Sequence, residues 1–206
     1  MGKHIFLKVF SLLFFCLSLF FAAPPCFAGD PTVQVKQRVD AVLEVLKNKE
    51  LKGPEKETIR RAKIRAIVDT IFDFPEMSRR SLGIHWRKRT PDERKEFVSL
   101  FSDLLEDTYI KKIEKYHDEK ILYTGESVRG DYAVVKTQVI TKKETEIPID
   151  YRLLKEDNKW EVYDVVIEGV SLVNNYRSQF SDILSSKPYA ELVNRLKKKT
   201  LKEPAK

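Results

Sequence analysis

Between residues 31 and 116 apolar side chains recur every three or four positions, and between residues 120 and 167 they recur every second one. The first period predicts helices and the second predicts strands. Val35, Val39, Val42, Leu43 and Leu46 form one helical stripe from Pro31 to about Glu50, and "KGPE" breaks it. A second stripe, Ile64, Val68, Ile71 and Phe72, starts near Pro54 and ends before "FPEM", because Pro75 disfavours helix at Phe74. "EMSRRSLG" is a short helical piece leading into "IHWRKR". The clearest local signal is "TPDERKEFVSLFSDLLEDTYIKKIEKY". There Thr90 suits an N-cap, Pro91 the first helical position and Glu93 a capping box. Phe97, Leu100, Phe101, Leu104, Leu105 and Tyr109 then make a broad apolar stripe.

Past Tyr116 the period falls to two. "KILYTGESV", "DYAVVKTQVIT", "EIPIDYRLL" and "KWEVYDVVI" read as four strands, separated by turn residues around Gly130, Lys143 and Asp157. Connections this short require an antiparallel meander. Pro148 argues for an edge, bulge or bend in the third strand. One sheet face can carry Tyr132, Val134, Ile147, Ile149, Tyr151 and Leu153, with the strand registers left open. "GVSLVNNYRSQFSDIL" and "KPYAELVNRLKKK" supply two final helices. Helices, a meander and more helices predict an α+β fold, a curved four-stranded antiparallel sheet packed against a helical layer.

The amino terminus changes what counts as the working chain. Lys3 and Lys8 accompany a long apolar run that closes on "CFAGD", where Cys26 and Ala28 fit a signal-peptidase site. Residues 1–28 are therefore read as a cleavable signal peptide and residues 29–206 as a single domain, which makes this an exported protein. An uncleaved anchor is the competing reading, since the run is nearly long enough to span a bilayer. Cleavage would remove both cysteines, Cys16 and Cys26, so no disulfide framework or thiol chemistry remains. It also lowers the net charge from +7 to +5, a modest excess that suits anionic surfaces or acidic partners.

Reactive chemistry is sparse. The exported part has only His85 and His117, far apart in sequence and without metal-ligand spacing, and it lacks HExxH, GxSxG and phosphate-cradling glycine motifs. His85 reads as a packed or surface histidine, and His117 as a cation at a helix C-terminus. Asp164 and Glu168 remain candidate general bases if buried in a cone-shaped sheet; solvent exposure or capping of the next helix explains them equally simply. The basic run "RRSLGIHWRKRTPDERK" resembles a nucleic-acid patch, but export disfavours nucleic acid and leaves an acidic partner or phosphate headgroups as the functional alternative to a solvated corner.

Two stretches carry a family resemblance. "FDFPEMSRRSLGIHWRKRTPDERKEFVSLFSDLLEDTYI" (residues 72–110) and "WEVYDVVIEGVSLVNNYRSQF" (residues 160–180) together resemble the MlaC family, also called the Ttg2D or toluene-tolerance family. The similarity runs from about Val33 to Leu196. The resemblance implies a periplasmic, monomeric phospholipid carrier with no catalytic residues. Its partners would be an outer-membrane MlaA-type lipoprotein complex and an inner-membrane Mla ABC transporter bearing an MCE-domain protein. It also implies a lipid cavity between sheet and helices. On that basis Phe97, Phe101, Leu104, Leu105, Tyr132, Val134, Ile149, Tyr151, Val166, Leu172, Val173 and Tyr176 are the expected lipid-binding residues, with bound phospholipid as cargo and no cofactor or metal. An NTF2-like small-molecule enzyme and an envelope interaction module stand as alternatives.

Overall fold

The computed structural model describes residues 30–114 and 119–201. The expected signal peptide, residues 1–28, and His117 lie outside the described residues. Helix α1, Pro31–Lys47, starts where the Asp30 carboxylate accepts a 2.8 Å hydrogen bond from the Thr32 amide, with Pro31 in the first turn. A short 3-10 turn at Pro54–Lys56 leads into α2, Glu57–Val68. Helix α3, Phe74–Leu82, begins one residue before Pro75 rather than after it. The Asp73 side chain accepts from the Glu76 amide at 2.8 Å, and a proline in the first helical turn forfeits no intrahelical bond. Helix α4, Pro91–Glu114, carries the expected capping box: the Thr90 amide donates to Glu93 (2.8 Å) and the Glu93 amide to Thr90 Oγ1 (3.2 Å).

The meander follows as β1 (Lys120–Arg129), β2 (Tyr132–Ile140), β3 (Glu146–Glu156) and β4 (Lys159–Ile167), all antiparallel neighbours. A fifth strand, β5 (Val170–Ser171), was not expected. It arises because Glu168 and Gly169 both take positive φ, 50° and 84°, as a two-residue hairpin turn requires, so the chain folds back to pair Ile167 with Val170 and Val166 with Ser171. Helices α5 (Leu172–Ser186) and α6 (Tyr189–Lys197) close the fold.

Two apolar clusters hold these layers. The first is helical: Met77 and Leu82 of α3, Phe97, Phe101, Leu104 and Leu105 of α4, Val173, Tyr176, Phe180 and Ile183 of α5, and Leu192 and Leu196 of α6. Its centre is aromatic, with Phe101 edge-on to Tyr176 and to Phe180 at centroid distances of 5.2 and 5.5 Å. The second joins the sheet to α1 and the segment after α2 through Val35, Ile71, Ala133, Val135, Leu153, Trp160, Val162, Val165 and Leu172.

The register settles which sheet residues share a face. Ala133 opposes Leu153, Val135 opposes Tyr151, Thr137 opposes Ile149 and Val139 opposes Ile147. Ile147, Ile149, Tyr151 and Leu153 therefore lie together as expected, but with Ala133, Val135, Thr137 and Val139. Tyr132 and Val134, opposite Leu154 and Arg152, lie on the other face. Strand side chains alternate, so a one-residue offset carries a whole set across the sheet.

Candidate functional site

The core face of the sheet is buried at one end and half-open at the other. Ala133, Val135, Leu153, Trp160 and Val162 are enclosed. Toward the opposite end, Ile121, Tyr123, Val139, Ile147, Ile149 and Ile167 on the same face are only half-buried. Val39 of α1 and Tyr109 of α4 pack, like Tyr123, Ile149, Tyr151 and Ile167, against the buried sheet-side cluster. The result is a seam between sheet and helices whose mouth is lined by aliphatic and tyrosine side chains. Two open clefts lie elsewhere on the described residues: one of about 680 Å³ beside Pro188 and Arg195, and one of about 400 Å³ between Phe72, Pro75, Trp86 and Glu161.

The polar groups in the seam are few, and they are hydroxyls. Burial, with Tyr151 and Asp40 nearby, pushes the Tyr123 hydroxyl above its ordinary range, and its oxygen is enclosed without a hydrogen-bond partner. Burial pushes the Tyr151 hydroxyl up to about 12. Both are therefore neutral at physiological pH and able to donate. Thr137 is satisfied by the Ile149 carbonyl at 2.8 Å. A seam with aliphatic walls and neutral hydroxyls can hold an apolar chain and hydrogen-bond an uncharged oxygen. The charged groups beside it, Lys36 over the Tyr123 ring at 5.9 Å and Asp40, are paired with each other at 2.6 Å.

Asp164 is the buried carboxylate on the other face of the sheet, with only 2% of its surface exposed. Its oxygens accept from the Val173 amide (3.1 Å), Ser171 Oγ (2.7 Å) and Arg152 Nη1 (3.1 Å). These bonds fasten β4 to the first turn of α5, where Ser171 also caps the helix through the Asn174 amide at 3.0 Å. All three donors are spoken for by structure, so Asp164 serves as a cap rather than as a free base. Glu168 sits exposed in the β4–β5 turn.

The expected lipid-binding residues divide among three places. Ile149, Tyr151 and Leu172 belong to the seam and its cluster. Phe97, Phe101, Leu104, Leu105, Val173 and Tyr176 belong to the helical cluster, where Phe97, Phe101 and Tyr176 are fully enclosed. Tyr132 is 49% exposed, and Val134 and Val166 share its side of the sheet, Val166 being buried there. Val39, Tyr109, Tyr123 and Ile167, absent from the expected set, pack against the same sheet-side cluster as Ile149 and Tyr151.

Helix α2 reaches the helical layer by charge more than by apolar contact. Ile64 is its one buried residue. Arg60 and Arg61 both bond Glu114 of α4, at 2.8 and 3.0 Å, and Arg65 bonds Asp103 at 3.0 Å and also Glu106. Burial alone would raise the Glu114 pKa, but the bonds from Arg61 and Arg60 outweigh it and hold the carboxyl below its ordinary value.

Among the described residues no helix is long and apolar enough to cross a membrane, and no group of three or more His, Cys, Asp or Glu is placed to hold a metal ion. Comparison with known proteins adds the relatives. Over 195 residues, 92% of this chain and 91% of the relative, the sequence is 23% identical to the intermembrane phospholipid transport system binding protein MlaC of Haemophilus influenzae. It is also 23% identical over 120 residues, 57% of this chain and 56% of the relative, to the toluene tolerance protein ttg2D of Pseudomonas putida. A solved phospholipid-binding protein from Ralstonia solanacearum, in complex with a phospholipid, superposes with a TM-score of 0.72 at 27% identity, covering 82% of this chain and 96% of that one. The family model described as MlaC protein matches residues 36–198, and this chain belongs to the MlaC family.

Proposed function

We propose that the protein is a periplasmic phospholipid carrier of an Mla-type system, moving lipid between the outer membrane and an inner-membrane ABC transporter. The observation that carries this reading is the combination of family membership with a near full-length structural relative that holds a phospholipid. The half-open apolar seam gives the reading a place on this chain. Acyl chains would lie between α1, α4 and the core face of the sheet, against Val39, Tyr109, Tyr123, Ile149, Tyr151 and Ile167, with Leu172 at the end of the seam. Phe97, Phe101, Leu104, Leu105, Val173 and Tyr176 form the firm helical layer behind it. The lipid cavity is then a state of the seam, opened as sheet and helices part. The outer-membrane MlaA-type lipoprotein complex and the MCE-domain protein of the transporter are the partners this role requires, and a single copy of the chain suffices for it.

Energetics favour a site of this kind. Burial of two long acyl chains contributes on the order of 20 kcal/mol at about 0.8 kcal/mol per methylene, comparable to what the bilayer itself offers. A carrier that matches the bilayer can both load and unload. One that adds strong charged headgroup contacts would retain its cargo; the seam face carries hydroxyls, and Lys36 and Asp40 beside it are paired with each other. Native mass spectrometry of protein purified without detergent, followed by lipid extraction, tests the proposal. Co-purified phospholipid is the expected result. A folded protein carrying a single polar metabolite instead would favour the enzyme alternative, and one with no ligand after incubation with phospholipid vesicles would favour an interaction module.

A further inference from the structure

Between Glu76 and Asp92 the chain has five Arg or Lys residues and no acid. The 3-10 turn Gly83–Lys88 sits in this interval. Gly83, at φ 54°, turns the chain out of α3, and Ile84 then stands in solvent with 78% of its surface exposed, well above the other exposed large apolar residues at 47–49%. Around it, Arg87 and Lys88 are exposed and His85 half-exposed, and none has a carboxylate partner among the described residues. Arg177 of α5 adds a fourth basic group; its Nε donates to the Arg80 carbonyl at 2.7 Å, and its side chain lies against Gly83. Arg79, Arg80 and Arg89, by contrast, are paired with Glu76 or Glu93.

The turn is held in place. The Arg89 amide donates to the Trp86 carbonyl at 3.1 Å, Arg94 Nε reaches the same oxygen at 3.3 Å, and the Arg94 guanidinium lies over the Trp86 ring at 5.3 Å. A fixed turn thus presents one aliphatic side chain with exposed Arg87 and Lys88 on the same turn, and with Arg177, held by the Arg80 carbonyl, beside Gly83. We propose that this turn is a contact for the surface of an anionic phospholipid bilayer: Ile84 enters the headgroup boundary while Arg87, Lys88 and Arg177 meet lipid phosphates.

A lipid surface fits better than an acidic protein. A specific protein interface buries about 800 Å² per partner around an apolar core. The other exposed large apolar residues, Val33, Ile59, Val128 and Tyr132, are spread over α1, α2, β1 and β2 rather than grouped on this turn. The headgroup zone, in contrast, accepts a single aliphatic side chain and rewards each nearby cation. The inference rests on the carrier reading, since a carrier that touches a bilayer has reason to do so transiently.

Flotation of the protein with vesicles of phosphatidylglycerol and phosphatidylethanolamine, against vesicles of phosphatidylcholine alone, tests it. Binding should require the anionic lipid and weaken as salt rises. A basic residue near an anionic surface is worth about five-fold in affinity, so the Arg87→Glu, Lys88→Glu double variant should lose at least about ten-fold. Ile84→Asp should lose a similar factor, while Ile84→Trp should keep binding and show a blue-shifted emission on the anionic vesicles. The same preparations are extracted for bound phospholipid, so that loss of lipid cargo, which would sink the carrier reading, is separate from loss of vesicle binding. No flotation by the wild-type protein, or flotation unchanged in both charge and Ile84→Asp variants, overturns the proposal and leaves the turn to an acidic protein partner.

Discussion

Replacing Asp164 with alanine should be among the most damaging single changes outside the two apolar clusters. The carboxylate is 2% exposed and accepts three hydrogen bonds. Bonds from the Val173 amide and Ser171 hydroxyl to a charged acceptor contribute about 1.5–3 kcal/mol each, whereas the Arg152 pair is discounted to under about 1 kcal/mol because solvent reaches its side chain. Part of this is recovered when Ser171 turns to water, which leaves an expected loss of about 3–4 kcal/mol, or roughly 10 °C in Tm for a chain of this size. Asp164→Asn keeps one acceptor but turns an amide donor toward the others, so it should lose about 2–3 kcal/mol. Arg152→Ala should lose less than about 1 kcal/mol. Urea unfolding followed by circular dichroism measures all three. If Asp164→Ala lost less than about 1 kcal/mol, or less than Arg152→Ala, the carboxylate would not be what fastens β4 to α5.

Three further outcomes follow from the same geometry. Gly169→Val should cost about 1–3 kcal/mol through backbone strain alone, since φ is 84° and an added Cβ meets nothing within 4 Å; thermal unfolding measures the cost, and transfer of fluorescent phospholipid to vesicles shows whether the turn also sets the rate of exchange. Glu114→Gln should loosen α2 from α4, seen as faster amide exchange across residues 57–68 with the sheet unchanged, because the helix has little apolar anchorage. Since Glu114 has a lowered pKa in the folded protein, its contribution is present above the ordinary carboxylate range and is lost as pH falls through the lowered value; wild-type α2 should therefore loosen in acid before the sheet does, and uniform loosening would contradict the assignment.

The helices were legible in the sequence because their signals are local. The capping box of Thr90 and Glu93 and the stripe from Phe97 to Tyr109 need no knowledge of the rest of the chain. The start of α3 is not legible from Pro75 alone, because Asp73, two residues earlier, is the cap that lets the helix include the proline. Sheet faces were legible along β3 but not between β2 and β3. The pairing of Ile140 with Glu146 across the turn between β2 and β3 fixes that offset, and alternation within one strand does not contain it. Strand β5, at two residues, is too short to have a period.

The site was partly legible for a related reason. A helical stripe announces that Phe97, Phe101, Leu104 and Leu105 are buried but not against what, and the fold sets them against α5 and α6 rather than against the sheet. Tyr123, Ile149 and Ile167 are brought to one seam by pairing across four strands, which is long-range information. Asp164 shows itself in sequence only as a carboxylate before a helix, which leaves base, exposed side chain and cap open; its bonds to Val173 and Ser171 select the cap.

The central claim is that acyl chains occupy the seam between α1, α4 and the core face of the sheet. A phospholipid with a photoactivatable group on its acyl chain, loaded from vesicles and cross-linked, tests this directly when the labelled peptides are mapped by mass spectrometry, with Ile149→Glu as the control that should abolish labelling while the protein stays folded. Labels should fall on Val39, Tyr109, Tyr123, Ile149, Tyr151 or Ile167 and their immediate neighbours. Labels confined to Phe180, Ile183, Leu192 and Leu196 in the helical cluster, or full labelling of the Ile149→Glu variant, would contradict it.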